Sequence, residues 1–276
     1  MAASRYRIGC NVIDPLLEVG PGTDYTLPVG RRSLEFLAEL GFDAVEFSHA
    51  LHWTDEELQV VRKMTEEIGI GVWSLHAWAA GDVLQEEHAE KASQILHRAA
   101  EVALALGAGR VVHHPSGGSL EGDGMQRLAC EADLIRAAHR PGFLFALENM
   151  SSLAQVDYLI TLVDRLGPEV AGICVDTGHA NLGADLGAPT ALRRAGHRLI
   201  TTHLQDNLGT RDEHLPPGDG LIDWDEVAVA LRETGYDGCL MLELTDHPGD
   251  ARAPHLRDEI ARGAAMAGKL WEMTRP

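Results

Sequence analysis

The residues best suited to chemistry lie between Leu199 and Trp224, in the stretch LITTHLQDNLGTRDEHLPPGDGLIDW. A short apolar and β-branched run (Leu199, Ile200, Thr201, Thr202) reads as a buried strand, and His203 closes it. The loop beyond carries Asp206, Arg211, Asp212, Glu213 and His214, more ionisable groups than a turn requires. Pro216, Pro217, Gly218 and Gly220 keep this loop out of helix, and Asp223 is placed to cap the helical pattern that follows. A histidine at a strand end followed by Asp-x-His presents imidazole and carboxylate ligands to a divalent cation. The plain alternative is a polar surface loop that holds two histidines.

The elements that must position these groups follow one rhythm. Strand-like runs occur at Tyr6–Val12, Ala44–Ser48, Gly71–Ala77, Arg110–His114, Phe143–Glu148, Val170–Asp176, Leu199–His203 and Gly238–Leu244. Amphipathic helical stretches alternate with them at Arg32–Leu40, Asp55–Ile68, Glu86–Leu106, Met125–Ala138, Leu153–Leu166, Thr190–Ala195 and Trp224–Glu233, with a last helix over Leu256–Trp271. Gly41, Gly69, Gly107, Gly142 and Gly235 are expected to close helices in the left-handed conformation. Eight β-then-α units in 276 residues predict an α/β fold, a (β/α)8 TIM barrel formed as a single domain over residues 1–276. A doubly wound open sheet is the competing architecture, but no Gly-x-Gly-x-x-Gly follows the first strand. The first connection, Asp14–Val29, is long and rich in Gly and Pro, as expected of a lid.

In such a barrel the reactive groups gather at the C-terminal strand ends. The third strand ends in His76, the fourth in His113–His114 and the fifth in Glu148. The sixth ends in Asp176 with His179 beyond, the seventh in His203 with Asp212 and His214 beyond, and the eighth in Glu243. His113 and His114 are strand neighbours and point to opposite faces. His114, directly before Pro115, is expected to face the interior, and His113 a helix. Each residue alone has an ordinary alternative: a rim carboxylate paired with an Arg, or His76 packed beside Trp73 and Trp78. Those alternatives leave unexplained why six consecutive strands end this way. Carboxylates closing apolar runs are costly unless partnered, and a mixed carboxylate–imidazole set suits Mn²⁺, Zn²⁺, Co²⁺ or Fe²⁺ better than Ca²⁺.

Charge limits the partners. The net charge of −19 repels polyanions at long range, so nucleic acid and anionic membrane surfaces are not expected partners. No apolar run reaches the roughly 18–20 residues of a membrane span, and MAASRYRIGC lacks a signal-peptide core. The four cysteines, Cys10, Cys130, Cys174 and Cys239, contain no Cys-x-x-Cys pair and are expected to be reduced thiols in a cytoplasmic protein. A homo-oligomer stays open.

The motifs LEN (Leu147–Asn149), CVDTGHANL (Cys174–Leu182), HLQDN (His203–Asn207) and DEHLPPGDG (Asp212–Gly220), with a weaker LELTD (Leu242–Asp246), resemble the xylose isomerase-like TIM-barrel superfamily. That superfamily holds sugar isomerases and epimerases together with the endonuclease IV group of apurinic-site nucleases. The resemblance implies a single-metal site of Glu148, Asp176, His203 and Glu243, with the two glutamates also serving as acid and base. The endonuclease IV pattern adds His76, His114, His179, Asp212 and His214 as further metal ligands. The implied activity is isomerisation or epimerisation of a sugar or polyol-derived ketone through an enediolate. One divalent cation per chain is expected (Mn²⁺, Zn²⁺, Co²⁺, Fe²⁺ or Mg²⁺), with two or three as the multinuclear case. His179 and Arg211 would hold substrate oxygens, and Trp78 would cover the apolar side of a sugar ring. The competing expectations are a metal-dependent phosphoesterase acting on abasic DNA or a small phosphate ester, and a metal-binding barrel without catalysis.

Overall fold

The computed structural model describes residues 6–12, 27–78, 81–244 and 255–275. The strands are β1 (Ile8–Asn11), β2 (Ala44–Phe47), β3 (Gly71–His76), β4 (Arg110–His113), β5 (Leu144–Glu148), β6 (Ala171–Asp176), β7 (Leu199–His203) and β8 (Leu240–Leu242). All neighbouring pairs are parallel, in the order β7-β6-β5-β4-β3-β2-β1-β8. The seam between β7 and β8 is drawn together at the C-terminal rim. Leu204 N–H donates to the Met241 carbonyl at 2.8 Å, and Glu243 N–H donates to the Leu204 carbonyl at 3.3 Å. The result is a nearly closed, single-domain TIM barrel.

The helices are α1 (Leu27–Glu39), α2 (Asp55–Ile68), α3 (Glu86–Leu106), α4 (Gly124–Ala138), α5 (Leu153–Leu166), α6 (Thr177–Leu182), α7 (Ala188–Ala195), α8 (Trp224–Thr234) and α9 (Leu256–Thr274). Local chemistry sets their ends. Thr54 and Glu57 form a reciprocal capping box at the start of α2, and Gly69 closes it in the left-handed region. Three expectations are modified. Helix α1 starts at Leu27, so residues 14–26 of the expected lid lie outside the described residues. Helix α4 ends at Ala138 with His139 as its C-cap, and Gly142 (φ 121°) lies in the following turn. Helix α6 was not anticipated: Asp176 ends β6 and at once caps a short helix made of TGHANL.

Alternation along the strands builds the interior in layers. Most of the apolar side chains form one large cluster between barrel and helices. Two small clusters, Val112–Ala146–Cys174 and Ala44–Trp73–Cys239–Met241, stand apart from it. Each of Ala44, Val112, Ala146, Cys174 and Met241 lies two residues before an ionisable group at the rim: Glu46, His114, Glu148, Asp176 and Glu243 respectively. Beneath them, the Arg110 guanidinium lies 3.6 Å from the Trp73 ring centre, and Trp73 Nε1–H donates to Thr201 Oγ1 at 2.9 Å. A layer of mostly small, apolar residues therefore separates the rim acids and histidines from the Arg110–Trp73 pair below.

The loop after β7 is pinned by one buried carboxylate. Asp206 accepts from the backbone N–H groups of Asn207, Gly218 and Ile222 (2.9, 3.0 and 3.1 Å) and from Trp224 Nε1 at 2.8 Å. Gly220 is needed at the same point, because a Cβ there would fall 2.3 Å from Asp206 Oδ1. Replacing Asp206 by Ala strands several buried donors, each costing roughly 1–3 kcal/mol when unsatisfied. Asp206→Ala is expected to lose about 3 kcal/mol or more in urea unfolding, with faster amide exchange across residues 206–222 if the native state survives. Wild-type stability in this variant would show that the loop is held by other means.

Candidate metal centre

Seven strands deliver ionisable side chains to the C-terminal rim, one more than expected. Glu148, fully buried at the end of β5, lies at the middle of the array. Its Oε1 is 3.1 Å from His203 Nδ1 and 3.5 Å from His179 Nδ1; its Oε2 is 3.0 Å from His114 Nε2 and 3.5 Å from His76 Nε2. Glu243 enters from the end of β8, with Oε2 3.2 Å from His203 Nδ1 and Oε1 3.4 Å from His76 Nδ1. Asp176 completes the group, and one ligand atom from each of Glu148, Asp176, His203 and Glu243 lies within 4.8 Å of the others.

A second group forms beside the first. Asp212 Oδ2 is 3.1 Å from His179 Nε2 and 2.9 Å from His214 Nε2. His214 takes a left-handed backbone conformation, φ 47°, which is uncommon for a residue with a side chain; the bend aims its ring back at Asp212 and Glu243. Gln205 joins the two groups. Its amide donates to Asp212 Oδ1 at 2.7 Å and to both Asp176 oxygens at 3.3 and 3.4 Å. Gly178 makes room for it, since a Cβ at that position would lie 2.0 Å from Gln205 Oε1.

The electrostatics fit a cation. Burial pushes the Glu148 carboxyl up, but the imidazoles of His114 and His203 outweigh it and hold it well below the usual carboxylate range. Burial acts the same way on Glu243, and His203, His76 and His214 overturn it. Asp176 shows the opposite result: burial first, then the charges of Glu148 and Glu243, push it up to about 7 against the pull of His179. Burial opposes protonation of His203 and His179, yet the surrounding acids raise both well above the ordinary histidine value. His214 is likewise raised, to about 9, with Asp212 as the main opponent of burial. The carboxylates here thus favour protons on the neighbouring imidazoles. A divalent cation performs that service without those protons. Glu148 Oε2 is buried and receives no aligned hydrogen bond, and Glu46 Oε1 likewise. The orphaned Glu148 oxygen and the oxygen–nitrogen donor set fit a bound Mn²⁺, Zn²⁺, Co²⁺, Fe²⁺ or Mg²⁺.

The remaining expected residues are placed unequally. His114 faces the interior and His113 the helices, where it bonds the Ala77 carbonyl at 3.1 Å and burial lowers its pKa to about 4. Trp78 is 68% exposed, at the edge of a cleft of about 490 Å³ that opens beside His76 and is walled by Leu51 and Ile95. Arg211 is not gathered into the cluster: its side chain is 79% exposed and pairs with Glu213 at 3.0 Å. The sequence reading overlooked Glu46 and Gln205. Glu46 interrupts the apolar AVEF run, two residues after the inward Ala44, and that register was the available signal. Gln205 had none beyond its place between His203 and Asp206.

Comparison with known proteins agrees with the fold. An uncharacterized protein of Sinorhizobium fredii is 28% identical over 283 residues, covering 88% of this chain and 89% of that one. A D-psicose 3-epimerase of Enterocloster bolteae is 24% identical over 234 residues, covering 77% and 76%. The structure of an L-ribulose 3-epimerase superposes with a TM-score of 0.77 at 20% identity, covering 98% and 96%. Structural neighbours and a distant relative are thus sugar epimerases. No helix among the described residues is long and apolar enough to cross a membrane. The family described as xylose isomerase-like TIM barrel matches residues 34–267, and the chain belongs to it.

Proposed function

We propose that this protein is a divalent-metal-dependent isomerase or epimerase of a sugar or polyol-derived ketone, acting by proton transfer. The observation that carries this reading is the pair of glutamates, Glu148 and Glu243. They stand three strands apart around the rim, and both approach His203 Nδ1, at 3.1 and 3.2 Å. Glu148, Asp176, His203 and Glu243 would hold the cation, which when bound would stabilise negative charge developing on the substrate oxygens. One glutamate removes the proton from the carbon between a carbonyl and a hydroxyl, and the other returns a proton to the opposite face, inverting that centre. His179 would hold substrate oxygens, and Trp78 would cover the apolar side of the sugar ring. The relatives' acceptance of ketoses supports a small uncharged substrate, as does the acidity of the chain. A cytoplasmic location and a domain spanning residues 1–276 accompany this reading.

Metal-loaded protein incubated in deuterium oxide with a panel of ketoses, L-ribulose and D-psicose among them, is expected to place solvent deuterium at the carbon beside the carbonyl. Glu148→Gln and Glu243→Gln should each lower that exchange about a hundredfold or more while the protein remains folded. No exchange on any ketose from fully loaded protein would count against the proposal.

A second reading is favoured by one observation, the convergence of His76, His114, His179, Asp212 and His214 on the same rim. Those residues would hold further cations for hydrolysis of a phosphate ester, with a hydroxide attacking phosphorus. The net charge of −19 opposes a DNA substrate. Under the first reading, loaded protein leaves an abasic-site duplex and p-nitrophenyl phosphate intact. Cleavage that disappears in Asp212→Asn would select the second.

A further inference from the structure

Glu46 is a fully buried carboxylate that the proton-transfer reading leaves without a task. Pairing between β2 and β3 shifts register at this point, so that Val45 lies opposite Val72 but Glu46 opposite Ser74. The irregularity brings two polar side chains together inside the barrel. Ser74 Oγ donates to Glu46 Oε2 at 2.5 Å. Both Glu46 oxygens stand 3.1 Å from His203 Nε2, and Oε1 has no aligned partner. The opposite edge of the same ring, Nδ1, faces Glu148 and Glu243 at 3.1 and 3.2 Å.

A neutral imidazole carries one N–H, and only its other nitrogen can bind a cation. A carboxylate accepts hydrogen bonds and, when ionised, donates none. Glu46 therefore accommodates a neutral His203 in one tautomer, protonated on Nε2, and the Nδ1 lone pair is left directed at Glu148, Asp176 and Glu243. Ser74 fixes the carboxylate in turn, and the fully buried position of all three side chains removes water as a competing acceptor. We infer that Glu46 is a positioning residue, which holds His203 in the Nε2–H tautomer and so presents Nδ1 to the divalent cation. The inference rests on the metal-dependent reading above and adds to it a residue outside the four-ligand set of Glu148, Asp176, His203 and Glu243.

A structural role alone, that of a satisfied core carboxylate, predicts something different. It would affect folding stability and leave cation affinity untouched. Glu46→Gln separates the two, because an amide of nearly the same shape both accepts and donates and so tolerates either tautomer. The full-length protein, stripped with chelator and titrated calorimetrically with Zn²⁺, is expected to bind about 10- to 100-fold more weakly in Glu46→Gln, with the unfolding temperature of the metal-free protein little changed. In zinc-loaded wild-type protein carrying ¹⁵N-labelled histidine, the His203 ring should show its proton on Nε2. Wild-type Zn²⁺ affinity in Glu46→Gln, or a proton on Nδ1 in the loaded wild-type protein, would overturn the inference and leave the metal reading standing. Failure of the wild-type protein to take up any divalent cation would remove both. The tautomer measurement needs no substitution, so misfolding of a variant cannot obscure the answer.

Discussion

The constraint on which this structure turns is the environment of His203. One buried imidazole stands within about 3 Å of three carboxylates, from Glu46, Glu148 and Glu243, and Asp176 lies close by. That much negative charge in a water-poor interior is strongly unfavourable unless positive charge is supplied. Without a cation the imidazoles of His203, His179, His76 and His214 are the compensating groups, and the surrounding acids raise all four above the ordinary histidine value despite burial. A cation would supply it more compactly. The barrel is what brings such a concentration of charge together, because all of its parallel strands end at the same rim, above mostly small apolar residues such as Ala44, Val112, Ala146 and Cys174.

Around that centre, the irregular features of the fold have local causes. Register shifts occur at Val45/Glu46 in the β2–β3 pairing, at Glu46 itself, and at Ile173/Cys174 in the β6–β7 pairing, where Ile200 is skipped on the strand that leads to His203. Asp206 gathers four donors to hold the loop that carries Asp212 and His214. Gly178 and Gly220 stand where any side chain would collide with Gln205 or Asp206. Asp176 both ends β6 and caps α6, so the peptide N–H of His179 reaches its Oδ1 at 2.5 Å. The loop geometry thus serves the placement of five or six polar atoms.

Much of this was legible in the chain. The alternation of apolar runs with helical spacing fixed the barrel, because each βα unit must bury one strand and one helical stripe. The strand-end residues from His76 to Glu243 could be read for the same reason, as each closes an apolar run at a predictable register. Glu46 escaped because its strand was expected to run on to Ser48, so a carboxylate within AVEF passed as interior to the strand. Helix α6 escaped because TGHANL is too short for a periodicity to show. Arg211 was expected to hold substrate oxygens, but its long side chain is exposed and pairs with Glu213. Such outcomes depend on loop conformation, which hydrophobic patterning does not encode. The expected lid over residues 14–26 and the closing Thr245–Asp246 lie outside the described residues.

The most direct test of the account is the number of divalent cations bound per chain, measured by elemental mass spectrometry on protein stripped with chelator, reloaded and freed of excess metal. One tightly held equivalent is expected, lost when Asp176 is replaced by Ala and accompanied by a rise in unfolding temperature in the loaded wild-type protein. A chain that retains no cation after reloading, while folded, would contradict it and would mean that the acids of this rim are balanced by imidazole protons alone.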